Sequence, residues 1–122
     1  MQNELSGEEE HWLPVVGWEG IYEVSDKGNV KRIRRNRGTV SGRLCTQRTW
    51  GVNKHKIVFL SDRSRKKPYQ VRRLVLEAFI GPCPEGMECC HWNDDPADNR
   101  LENLRWATRS ENLVDRTRKL IS

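Results

Sequence analysis

Between Met87 and Glu111 the sequence permits essentially one order of elements. Met87 to His91 has the length and composition of a short strand, and Leu101 to Ala107 those of a second. Trp92 to Arg100, between them, is a polar loop with three aspartates and a proline, residues that favour turns over regular structure. Then comes Thr108-Arg109-Ser110-Glu111, a capping box in which the threonine hydroxyl accepts from the backbone of the glutamate and the glutamate reaches back. A helix is therefore expected right after Thr108, running towards Leu120. Strand, loop, strand and helix together place His91 at a strand end and Asn112 in the first turn of the helix.

The rest of the chain is read by the same rules. Residues 1–10 are polar and acidic and are expected to form a disordered tail. Residues 11–52 form a strand-rich, basic module. Within it Tyr22–Ser25 and Val30–Ile33 alternate around the turn Asp26-Lys27-Gly28-Asn29, which predicts a hairpin, and Arg34 to Val52 reads as a loop or irregular hairpin. Residues 53–80 predict a strand at Lys56–Leu60, a basic turn at Ser61–Pro68, a returning strand at Tyr69–Val71 and a short amphipathic helix over Arg73–Ile80. Residues 81–122 hold the strand–loop–strand–helix unit, and Gly81 to Gly86 separates it from the preceding helix.

Charge narrows the choice of partner. Lys27 to Arg73 contains sixteen Lys or Arg residues against a single acid, Asp62, although the whole chain carries only +5. Such a block implies a polyanionic partner. Only 35% of the residues are apolar, so a large self-sufficient core is not expected, and five tryptophans partly compensate. No run approaches the ~18 apolar residues of a membrane span, and the acidic N-terminus has no signal-peptide pattern. A cytoplasmic protein with no membrane association is expected, its cysteines Cys45, Cys83, Cys89 and Cys90 reduced.

Cutting a nucleic acid requires an activated water, charge stabilisation at the phosphate and a grip on the backbone. A neutral imidazole at a strand end suits the first. A divalent metal and a helix N-terminus suit the second. The basic block suits the third. At these residues a family becomes recognisable. Cys90-His91, Asp98-Asn99-Arg100-Leu101-Glu102-Asn103-Leu104-Arg105-Trp106 and Ser110-Glu111-Asn112 resemble the ββα-metal motif of phage-type HNH endonucleases. Val71 to Ile80 resembles the helical lead-in of these enzymes. Trp12 to Ile33, with Trp18-Glu19-Gly20-Ile21-Tyr22-Glu23-Val24-Ser25-Asp26, resembles the nuclease-associated module of phage homing endonucleases.

The resemblance implies an α+β fold, a strand-rich N-terminal module followed by a ββα-metal nuclease motif. It implies His91 as general base, Asn103 as the middle asparagine that braces the loop and orients the histidine, Asn99 as a loop-shaping residue and Asn112 as a metal ligand. The metal would be Mg²⁺ or Mn²⁺, the substrate DNA, and the product a 5′-phosphate. Two residues depart from the pattern. Arg72 stands where the family usually has histidine. Cys90 stands where it has Asp or Asn, which often ligates the metal, and a thiol is a poor ligand for a hard cation. Asp115, three residues after Asn112 and so on the same helical face, is a candidate for the missing oxygen. Candidate DNA contacts are Lys31, Arg32, Arg34, Arg35, Arg37, Arg43, Arg63, Arg65, Lys66, Lys67, Arg72 and Arg105. A non-catalytic DNA-binding protein on the same fold is the alternative, and monomer and homodimer both fit.

Overall fold

A computed structural model describes residues 9–34, 42–52 and 54–111. Among the described residues, three antiparallel sheets and the helix α1 (Val71–Phe79) follow along the chain. The first sheet has the order β1 (Trp12–Pro14), β2 (Tyr22–Ser25), β3 (Val30–Arg32) and β4 (Arg43–Leu44). The second has the order β5 (Arg48–Trp50), β6 (His55–Asp62) and β7 (Arg65–Gln70). Helix α1 (Val71–Phe79) follows, and then the hairpin of β8 (Met87–His91) and β9 (Leu104–Thr108). Among the described residues no helix is long and apolar enough to cross a membrane.

The β2–β3 hairpin turns where its sequence predicts. Ser25 Oγ accepts from the backbone N–H groups of Lys27 and Asn29, both at 3.1 Å, and Gly28 takes φ +85°. That left-handed conformation is open to glycine at little cost.

Four differences from the sequence reading have physical causes. The stretch Arg34–Val52 contains strands β4 and β5, short and exposed along their whole length, so no alternation of burial marks them. Ser61–Pro68 is mostly strand: β6 and β7 pair from Ile57↔Gln70 to Asp62↔Arg65 around a tight turn at Arg63, φ +56°. β7 is an edge strand with its first four residues exposed, which accommodates its lysines and Pro68. The helix starts at Val71 rather than Arg73, because fully buried Val71 continues the face of Leu74 and Val75. Leu101–Asn103 is a 3-10 turn, and β9 begins only at Leu104.

One apolar core joins all three sheets. It includes Val15 and Trp18 from the β1–β2 connection, Tyr22, Val24 and Val30 from β2 and β3, Val58 and Leu60 from β6, the inner face of α1, and Cys89 and Leu104 from the last hairpin. Trp18, 2% exposed, donates from Nε1 to the Tyr69 hydroxyl at 3.0 Å and meets the Tyr22 and Tyr69 rings edge-on. Burial of each such aliphatic or aromatic side chain contributes about 1.5–3 kcal/mol. Two contacts tie the N-terminal sheet to the C-terminal loop. Leu101 N–H donates to Asp26 O at 2.8 Å, and Gly28 packs so closely on Asn99 that an added Cβ would lie 2.9 Å from its carbonyl oxygen.

Candidate functional site

The β8–β9 pairing sets the site. Its register runs from Met87↔Thr108 to His91↔Leu104, so His91 is the last paired residue before the chain leaves the sheet. The loop from Trp92 to Arg100 is locked by its own polar side chains. Asn103 Nδ2 donates to Asn93 Oδ1 and to Asp98 O, both at 2.9 Å, while its Oδ1 accepts from Asn93 N–H at 3.1 Å. Asn93 Nδ2 donates to Asp98 Oδ2 at 2.9 Å. Arg100 grips Asp98 through two bonds of 2.8 Å, which holds that carboxyl down at about 2.

His91 is 7% exposed, and its Nε2 lies 2.8 Å from Asn99 Oδ1. An amide oxygen only accepts, so the bond places the ring proton on Nε2 and leaves the lone pair on Nδ1. Burial pushes the His91 pKa below its ordinary value, with help from the Arg72 charge, against the opposing effects of Asn99, Asp98 and Asp95. The ring is thereby held neutral, the state a general base requires.

This corrects the reading of the two asparagines: the residue bonded to the histidine is Asn99, and Asn103 braces the loop around it. Both are buried, at 5% and 6% exposed. Cys90 is also buried, 2% exposed, with Sγ 3.9 Å from the His91 carbonyl oxygen. Asn112 and Asp115 lie outside the described residues. The capping box ahead of them is formed: Thr108 Oγ1 accepts from Glu111 N–H at 3.1 Å, and Glu111 Oε1 accepts from Thr108 N–H at 2.9 Å. Among the described residues no three His, Cys, Asp or Glu side chains converge to hold a metal.

The basic residues divide. Arg32 is 6% exposed, its Nη1 bonded to the Tyr22 hydroxyl and to Ser61 O at 2.9 and 2.6 Å, and its Nη2 is 3.6 Å from Asp62. It is a core-bridging residue and is removed from the candidate DNA contacts. Arg34 shares Asp62 at 3.5 Å, and Lys31 faces Glu23 at 3.8 Å. Arg43, Arg63, Arg65, Lys66 and Lys67 are exposed, Arg65 over the Trp18 ring and Lys66 over Phe59. Arg105 lies over the Trp92 ring at 4.0 Å. Arg35 and Arg37 lie outside the described residues.

Arg72 is only half-buried, and its Nε donates to Gln70 Oε1 at 3.1 Å. It sits close enough to His91 and His55 for its charge to lower the pKa of both. His55, which no motif marks, lies with its ring near-parallel to His91, centroids 6.2 Å apart and planes 13° apart. Only the long-range meeting of β6 with β8 reveals it.

Two regions of the chain are similar to known families. Residues 69–114 match the HNH endonuclease family, and residues 10–71 match the NUMOD4 motif. The chain is 30% identical over 102 residues to DNA endonuclease I-HmuI of Bacillus phage SP01, covering 84% of this chain and 55% of the relative. It is 36% identical over 117 residues to an uncharacterized HNH endonuclease of Acanthamoeba polyphaga mimivirus, covering 89% of this chain and 26% of that one. The solved structure of the HNH homing endonuclease I-HmuI, described for its DNA binding and cleavage, superposes with a TM-score of 0.75 at 26% identity, covering 89% of this chain and 59% of the other. The chain thus spans about half the length of the phage relative.

Proposed function

From a chain that belongs to the NUMOD4-motif family and carries an HNH endonuclease domain, we infer an enzyme that hydrolyses DNA phosphodiester bonds with His91 as general base. The observation that carries this reading is the bond from His91 Nε2 to Asn99 Oδ1 at 2.8 Å, which fixes a buried, neutral imidazole with its lone pair on Nδ1. A water bonded to Nδ1 gives up its proton as it attacks phosphorus. Asn99 holds the ring, Asn103 holds the loop that carries Asn99, and Arg72 keeps the surroundings cationic.

HNH nucleases generally depend on a divalent metal. Here Asn112 and Asp115 would supply hard oxygen donors from the C-terminal segment, with Cys90 a soft neighbour, which favours Mg²⁺ and admits Mn²⁺. When bound, the metal polarises the phosphate and stabilises the leaving oxygen. Exposed Arg43, Arg63, Arg65, Lys66 and Lys67 grip the backbone in this reading, and the cut leaves a 5′-phosphate. The site of action would be the cytoplasm, that of the host cell if the chain is phage-encoded.

A binding-only protein is the second reading, and buried Cys90 at the position of the usual oxygen ligand favours it. Plasmid nicking with Mg²⁺ and with Mn²⁺, each against EDTA and against His91→Ala, separates the two. Metal-dependent nicking that is lost in His91→Ala is the expected result. Wild-type protein inert with both ions, while still shifting DNA on a gel, establishes the second reading.

A further inference from the structure

His55 opens β6 opposite Trp50 of β5, far in sequence from the strand–loop–strand unit. The fold nevertheless lays its ring 6.2 Å from that of His91. Three elements meet there: the start of β6, the start of α1 with Arg72, and the end of β8. The side chain is partly exposed, yet its Nδ1 is buried with no hydrogen-bond partner. None of the described hydrogen bonds uses its other ring nitrogen either.

Such a residue is hard to explain by packing. A phenyl ring has nearly the same shape and carries no nitrogen to desolvate, so phenylalanine would fill the slot at lower cost. The surroundings fit an anion. Arg72 lies near both histidines, and burial with the Arg72 charge lowers the His55 pKa, which leaves a neutral ring. With Nδ1 closed off, the tautomer that serves the open side carries its proton on Nε2. Two rings at this separation are close enough for one phosphodiester group to meet both.

We propose that His55 is a further catalytic residue of the cleavage site, donating a hydrogen bond from Nε2 to a non-bridging oxygen of the phosphodiester that His91 activates water to attack. The proposal rests on the endonuclease reading. It adds a substrate contact from the β5–β7 sheet, outside the strand–loop–strand–helix unit.

The test compares wild type, His55→Phe and His55→Gln as full chains, in single-turnover nicking at saturating DNA, with gel-shift affinity and thermal midpoint measured on each. His55→Phe is expected to keep or raise the thermal midpoint and to slow cleavage about 10- to 100-fold, the loss of one hydrogen bond to a charged group. His55→Gln, whose amide nitrogen reaches the place of Nε2, is expected to recover part of that rate. His55→Phe cleaving at the wild-type rate overturns the proposal. So does His55→Gln as slow as His55→Phe, or a rate loss matched by a fall in the thermal midpoint in both variants. A wild type that never cleaves strikes the endonuclease reading itself and takes this proposal with it, an outcome distinct from an active wild type with an equally active His55→Phe.

Discussion

Asn99 Oδ1 lies 2.8 Å from His91 Nε2 and accepts a hydrogen bond from the buried imidazole. Removing this bond frees the imidazole to rotate and to exchange tautomers. Asn99→Ala is expected to lower the single-turnover cleavage rate by about 10-fold or more, since a general base contributes on the order of 10²–10⁴-fold only in the correct state and position. DNA affinity should be unchanged, because it comes mainly from phosphate contacts. A nicking time course beside a gel shift decides it, and an unaltered rate would remove Asn99 from the mechanism.

Gly28 supports the same histidine from further away. An alanine there would keep φ +85° and push its Cβ to 2.9 Å from the backbone oxygen of Asn99. Gly20 has φ +82° and nothing within 4 Å of an added Cβ. Both substitutions strain the backbone, at about 1–3 kcal/mol each. Gly28→Ala should exceed Gly20→Ala in loss of thermal stability, and of the two it alone should slow cleavage. Equal effects on both properties would show that the packing of Gly28 on Asn99 transmits nothing to the site.

Arginines of the basic block should fall into two classes. Neutralising Arg43, Arg63, Lys66 and Lys67 together is expected to weaken DNA binding and to flatten the slope of log K against log[salt] by about 0.9 for each phosphate left without its cation. Arg32→Ala should instead destabilise the fold by about 3 kcal/mol, because it strips partners from Tyr22 and Ser61 and one of the two cations from half-buried Asp62. Salt-dependent binding and denaturant unfolding on the two variants separate the classes. A variant of Arg32 that folds normally and changes only the salt slope would contradict its placement.

Acid should weaken the fold through its histidines. His91 and His55 both have folded-state pKa values below the ordinary 6.5, chiefly through burial. The unfolded chain therefore binds more protons than the folded one as pH falls through 6.5, and stability drops with falling pH below that value. The thermal midpoint should be flat between about pH 7 and 8 and should decline below about pH 6.5, and His55→Phe should make the decline shallower. A further loss is expected nearer pH 4 to 2, where Asp98, held at about 2, takes up its proton and releases Arg100. A midpoint that rises on acidification from pH 7 to 5 would contradict the histidine assignment.

The parts of the molecule legible in the sequence are those fixed by neighbours along the chain. The β2–β3 turn, the β8–β9 hairpin and the Thr108–Glu111 capping box each rest on residues a few positions apart, and the structure shows all three. His91 and its asparagines are legible for the same reason, as a spaced pattern in one segment. The rest depends on contacts no local pattern encodes. Lys66 and Lys67 read as a turn because charge hides an edge strand whose first four side chains all reach water. Arg32 reads as a DNA contact because only the approach of β6 brings Ser61 and Asp62 around it. The division of labour between Asn99 and Asn103 is decided by the path of the loop, and both are asparagines within five residues of each other.

The bond from Leu101 N–H to Asp26 O and the seating of Gly28 on Asn99 bear on how such chains can be recombined. The N-terminal sheet and the β5–β7 sheet together match one motif, residues 10–71, which overlaps the HNH match only at 69–71. The β2–β3 turn is nevertheless the floor on which the histidine-holding loop rests. A graft that brings in a new N-terminal module must therefore bring a bare backbone at the position of Gly28, or carry a matching loop with it.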